Sequence, residues 1–276
     1  MAAGDGQLEV CKFIIERVVD KNPASYHDGW TPLQIATMIG NLDICKLIIE
    51  KVEDKNPADN TGRTPLYEAA SNGDLDMCKL IIKGIEDNNP GRYQWNGKTP
   101  LHAAAENGDL DTFKFLFENL KDKNPVDEYG DTPLHEAAKY NNLDICKYII
   151  EKGMDKIPAA NDGRTPLHDA AFNGHLELCK FFIEKIEDKN PVDNNGPTSL
   201  HKDTRDLYLG VWKYVLEKIQ DKDNYWTKWL LKGACSNHFE ICKFIMEKIE
   251  DKNPVGNLLD LYGVTPGFLR CLQAYH

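Results

Sequence analysis

The sequence predicts an all-α solenoid of stacked helix-turn-helix units with projecting β-turn or hairpin loops. Two observations carry that prediction. The pattern Gly-x-Thr-Pro-Leu opens at Gly29, Gly62, Gly97, Gly130 and Gly163, and its threonines are spaced by 33, 35, 33 and 33 residues. A second punctuation, Asp-Lys-Asn-Pro, recurs in phase at 20–23, 54–57, 122–125, 188–191 and 251–254. Periods of this length mark repeat arrays.

One unit, Asp59 to Pro90, shows the local reasoning. Asp59-Asn60-Thr61-Gly62 is turn chemistry, with a glycine able to take positive φ. Thr64 is a candidate N-cap, and Pro65 suits the first helical position, where its missing N–H is no loss. Leu66, Ala69 and Ala70 give a short helix with a small-residue face, which Gly73 breaks. Asp74 or Asp76 can start a second helix. Leu75, Cys78, Leu80, Ile81, Ile82 and Ile85 make its apolar face, and Asn88-Asn89-Pro90 stops it. So short a helix pair cannot bury its own apolar face, but stacked copies can.

Thr-Pro-Leu-His at 99–102, 132–135 and 165–168, followed by paired alanines and set in a 33-residue period, resembles the ankyrin repeat. The resemblance covers nearly the whole chain. It implies a single domain over 1–276: a partial unit at 1–30, five regular repeats at 31–197, two degenerate repeats at 198–260 and a partial unit at 261–276. Ala2-Ala3 and Gly6 occupy the places of Ala69-Ala70 and Gly73. The chain is therefore expected to begin inside a first helix, as a segment of a longer array or as a natural cap.

Three departures from the family pattern stand out. The glycine that usually ends the second helix survives only as Gly153. Val18, Val52, Ile85, Leu120, Ile186, Ile219 and Ile249 replace it. A β-branched residue is costly in a left-handed cap. The second helix is therefore expected to run one turn further, to Asn56 and its counterparts. In the degenerate stretch, Thr198-Ser199 and Lys228-Trp229-Leu230-Leu231 stand where the Thr-Pro signature belongs. Gly91-Arg92 and Pro254 to Asp260 lengthen their turns. The C-terminal third is expected to be the weakest part or to carry a specialised surface.

The chain has 276 residues, with 33 basic against 44 acidic side chains and a net charge of -11. That balance is a poor match for a phosphate backbone or an anionic membrane surface. It favours a basic or mixed protein partner. No apolar run reaches the length of a membrane span, and no leader pattern follows Met1. Six of the eight cysteines precede a lysine at one register position, and no CxxC pair occurs. They read as buried apolar thiols of a reducing, cytoplasmic environment. Cys235 and Cys271 lie outside that row.

No phosphate-binding glycine loop, nucleophile elbow or zincin motif occurs, so no catalytic residue, cofactor or metal is assigned. His102, His135, His168 and His201 share one register position, where Gln34 and Tyr67 also occur. One residue per unit cannot converge on an ion, so these read as structural side chains bonding the turn backbone.

The family resemblance places partner contacts on the turn tips and the inner face of the first helices. By register, the tips offer Tyr26, Trp30, Arg63, Tyr93, Trp95 and Tyr129. The inner face offers Ile35, Met38, Glu68, Glu106, Glu136, Tyr140, Asp169 and Phe172. This describes an acidic groove set with aromatics, and aromatics suit interface anchors. The expected function is non-catalytic protein–protein interaction, as a scaffold, adaptor or effector module, in a monomer that neither binds nucleic acid nor inserts in a membrane. The alternatives are a small-molecule or nucleotide-binding regulator, a structural spacer, or an enzyme with a site in the irregular 198–240 region.

Overall fold

Thr64 and Pro65 begin their helix as the sequence predicts. Thr64 is extended (φ -118°, ψ 161°), and its hydroxyl accepts from the Tyr67 amide. Thr31, Thr99, Thr132 and Thr165 are likewise extended N-caps, each followed by a proline at the first helical position. The computed structural model describes residues 8–85 and 92–186, together with Asn194 and Tyr214. The expectations for Ala2-Ala3 and Gly6, for nearly all of 198–276, and for Cys235, Cys242 and Cys271 lie outside the described residues.

The chain divides into two compact bodies, Met1–Asn161 and Asp162–His276. The described part of the N-terminal body holds α1 (Leu8–Arg17), α2 (Pro32–Ile39), α3 (Leu42–Ile49), α4 (Pro65–Ser71), α5 (Leu75–Ile82), α6 (Pro100–Asn107), α7 (Leu110–Asn119), α8 (Pro133–Lys139) and α9 (Leu143–Glu151). That of the C-terminal body holds α10 (Pro166–Phe172) and α11 (Leu176–Lys185), packed as one pair. In the N-terminal body α2, α4, α6 and α8 pack in sequence as one layer. The second helices α1, α3, α5, α7 and α9 form the other. This is the all-α repeat solenoid that the period predicts.

The core follows from the periodicity. Leu33, Leu66, Leu101 and Leu134 of the first helices are at most 1% exposed, and the small pairs behind them, Ala36-Thr37 and then two alanines in each later repeat, are equally buried. Small side chains there let neighbouring repeats approach closely. Cys45, Cys78 and Cys146 are free thiols with no exposure. In the C-terminal body Cys179 is the same. Burial pushes the Cys45 thiol up to about 11 and the Cys78 thiol up to about 12, so neither carries thiolate at neutral pH.

The expected extra turn on the second helices does not form. α3 ends at Ile49, before Val52, and α5 ends at Ile82, before Ile85. Two features replace it. Leu120 and Ile186 leave the helix in extended geometry (ψ 149° and 154°) and turn their side chains into the core, at 3% and 5% exposure. They therefore avoid the left-handed cap and keep an apolar role. The lysine of Asp-Lys-Asn-Pro then folds back onto the open helix end. Lys123 Nζ donates to the Glu118 carbonyl at 2.8 Å, and Lys21 Nζ donates to the Ile15 and Val18 carbonyls.

The rest of that motif prepares the next helix. Asp20, Asp54 and Asp122 each accept from the amide two residues on, which fixes a tight turn. Asn22 Oδ1 then accepts from Leu33 N at 3.0 Å, and Asn56 Oδ1 from Leu66 N at 2.8 Å. Those donors lie in the first turns of α2 and α4, where no helical acceptor exists. The motif thus stops one helix and caps the start of another about ten residues later.

Candidate functional site

The turns between repeats are built as a ladder. Asn60 N donates to Asp28 O, Gln94 N to Thr61 O, Glu128 N to Asn96 O, and Asn161 N to Tyr129 O, all within 3.0 Å. Each tip is therefore bonded to the tip before it. Gly130 (φ 80°) shows why a glycine stands at the turn. An added Cβ would lie 2.7 Å from the Asn161 amide nitrogen, so both the conformation and the close approach exclude a side chain.

Behind each tip, one side chain ties the helix cap to the next turn. His102 Nδ1 accepts from Thr99 N at 3.2 Å, and its Nε2 donates to Asp131 O at 2.9 Å. Burial lowers this imidazole to about 4, so it is neutral. Gln34 does the same work with its amide: Oε1 accepts from Thr31 N at 3.0 Å, and Nε2 donates to Arg63 O at 2.8 Å. His135 accepts from Thr132 N at 3.0 Å, and His168 from Thr165 N at 3.1 Å. His102, His135 and His168 are structural, as their register implies, and His201 lies outside the described residues.

In three repeats the residue after the turn glycine is basic and pairs with nearby carboxylates. Arg63 pairs with Glu68 at 3.5 Å and with Asp59 at 3.7 Å. In the C-terminal body Arg164 pairs with Asp162 and Asp169. Lys98 has Ala103 where the others have a carboxylate. It reaches instead to Glu106 of its own repeat and Glu136 of the next, both at 3.0 Å. Burial pulls this ammonium down, but the two carboxylates outweigh it, raise it and hold it charged. The same ammonium keeps Glu106 below the usual carboxylate range against the pull of burial, whereas burial wins at Glu136 and raises it.

Asp127, Asp131 and Glu136 bring carboxylate oxygens within 4.8 Å of one another, all buried, beside Lys98. Asp127 Oδ1 accepts from the Tyr129 and Asp131 amides and so shapes the tip that carries Tyr129.

Arg63 has a second role. Its guanidinium lies 5.6 Å from the Trp30 ring and 5.5 Å from the Tyr93 ring. Tyr93 in turn meets Tyr67, with ring centroids 5.8 Å apart. Side chains from three successive repeats are thereby packed into one cation–aromatic cluster.

Of the tip residues expected to meet a partner, Tyr26, Trp95 and Tyr129 are exposed at 95%, 72% and 60%. Trp30, Arg63 and Tyr93 are half-buried in the cluster just described. On the inner face Met38, Tyr140 and, in the C-terminal body, Phe172 are exposed, while Ile35, Glu68 and Glu106 are half-buried. The acidic groove needs correction at two positions. Glu136 is 1% exposed and Asp169 is 6% exposed, and each is ion-paired inside its own body. Their charge is spent on the scaffold.

The family model for ankyrin repeats in three copies matches the chain in overlapping placements, at residues 1–91, 85–159, 101–193 and 167–255. The chain belongs to the ankyrin-repeat family. No curated protein matches it. Ankyrin repeats are in general protein-interaction modules, and this coarse function applies here. No helix among the described residues is long and apolar enough to cross a membrane.

By register Lys98 falls on a turn tip and Ile39 on the inner face of this ankyrin array, but sequence reasoning missed the reach of Lys98 to two carboxylates and the contrast of Ile39 with its counterparts. The missing carboxylate at Ala103 could have signalled the first. Aligning the units signals the second: Ile39, 50% exposed, stands where other repeats carry Asn72, Asn107 and Tyr140.

Proposed function

We propose that this ankyrin array is a non-catalytic scaffold, adaptor or effector module that binds a segment of another protein along its turn tips and inner helix face. One observation carries the reading. Trp95 and Tyr129 stand exposed on neighbouring tips that are locked together by the Glu128 N to Asn96 O bond of 2.8 Å. Large aromatics on a rigid support lose little freedom on binding, which suits them as interface anchors. Tyr140 extends the row; its hydroxyl is tied to Glu106.

The pairing of Arg63 and Lys98 with carboxylates weighs against a phosphorylated small ligand on this face. The buried free thiols support a reducing compartment. The test is capture of partners on the immobilised chain across a salt titration, compared with Trp95→Ala/Tyr129→Ala/Tyr140→Ala. A partner lost in the variant supports the reading. Equal capture by both chains contradicts it.

A further inference from the structure

The inner face of the N-terminal body changes chemistry along its length. The two positions at the end of each described first helix stay wholly or partly open to solvent even in repeats with neighbours on both sides. Ser71, Asn72, Asn107 and Lys139 are all exposed. In the first repeat these positions hold Met38 and Ile39, at 41% and 50% exposure. Stacking of a further repeat does not explain them, because interior repeats leave the same positions wholly or partly open, and these hold polar side chains or, at Tyr140, an aromatic whose hydroxyl is tied to Glu106. The pair that is Arg63 and Glu68 in the second repeat is also apolar here, as Trp30 and Ile35. Two repeats further on, Glu106 keeps 37% of its side chain exposed, and Glu128 is exposed on the next tip.

We infer that this groove, if it serves the interaction proposed above, takes an extended peptide segment with two unlike ends: an apolar block on Met38 and Ile39, and a basic block beside Glu106 and Glu128. Charge complementarity fixes the second block, since the carboxylates still open to solvent on this stretch are Glu106, part-exposed on the inner face, and Glu128, exposed on the next tip. The fold fixes the distance. Neighbouring helices lie about 8–10 Å apart, so two to three repeats span roughly 20–30 Å. An extended chain rises about 3.3 Å per residue, which separates the blocks by about six to nine residues. Neither block alone holds the segment well; joined at the right length, each raises the effective concentration of the other.

The probes are fluorescein-labelled peptides with a Leu-Ile-Leu block and an Arg-Lys-Arg block, joined in both orders by Gly-Ser spacers of about two or seven residues. Anisotropy on the full chain is expected to show, for one order, binding at least about ten-fold tighter with the longer spacer than with the shorter one or with either block alone. Met38→Ser/Ile39→Asn installs the side chains of the second repeat at exposed positions. It is expected to erase the spacer preference, while Glu106→Gln/Glu128→Gln removes the salt dependence. Affinity that ignores spacer length, or that survives Met38→Ser/Ile39→Asn unchanged, overturns the inference. A natural partner that depends on Trp95 and Tyr129, together with no spacer preference, leaves the interaction function standing and sinks the two-ended ligand alone. Loss of both sinks both.

Discussion

Gln34 and His102 make the same two hydrogen bonds with different chemistry. Each accepts from the amide of its own N-cap threonine and donates to a carbonyl in the turn of the following repeat. A carboxamide and a neutral imidazole both offer one acceptor and one donor on opposite edges. The family histidine is therefore a spacer of defined polarity here.

His102→Gln should fold with a stability within about 1 kcal/mol of the parent, since both bonds can be remade. His102→Ala leaves a buried amide and a buried carbonyl unpaired and should lose about 2–4 kcal/mol. Urea unfolding of both variants checks the contrast. Equal losses would show that only the ring's packing matters.

The same residue gives a pH dependence. Its native value is lowered to about 4, against 6.5 in the unfolded chain. Below pH 6.5 the unfolded chain gains a proton that the native chain refuses, so stability falls as pH drops, until the native imidazole also protonates near pH 4. The loss over that window is about 3 kcal/mol. His102→Gln should flatten this part of the stability-against-pH curve, measured by urea midpoints at pH 7 and pH 4.5. An unchanged slope would mean that the imidazole is not held neutral.

Lys98→Met should destabilise the N-terminal body by about 3 kcal/mol at pH 7, because it strands the buried Glu136 carboxylate and frees Glu106. Adding Glu136→Gln should recover much of that loss. A double variant no better than the single one would show that Lys98 acts by packing its stem, and thermal unfolding decides between them.

Ile14 and Ile48 occupy one register position in α1 and α3, yet they are 42% and 1% exposed. Ile48→Ala should cost about 2–5 kcal/mol through its cavity, and Ile14→Ala a fraction of that. Comparable losses in urea titrations would place Ile14 in a packed core.

Much of this was legible in sequence because repetition multiplies weak signals. Thr-Pro at each helix start, the buried leucines and alanines, the cysteine row and the structural histidines follow from residues that local rules describe. The helix ends were not legible. The apolar spacing of Ile48, Ile49 and Val52 continues the helical pattern, while the stop comes from a lysine several residues on and from an extended exit at Leu120 and Ile186. The charge pattern of the groove was half legible. Glu136 and Asp169 fall on the inner face by register, but their burial is set by Lys98 and Arg164, whose reach sequence spacing does not show. The meeting of Trp30, Arg63 and Tyr93 likewise spans three repeats and is a property of the stack.

The most direct test of the central claim is amide hydrogen exchange on the chain with and without a captured partner. A partner bound along the tips and inner face should bring new protection at 93–96 and 128–131 and at the end of α2, with little change along α3, α5 and α7. Protection confined to those second helices, or to the C-terminal body alone, would contradict it.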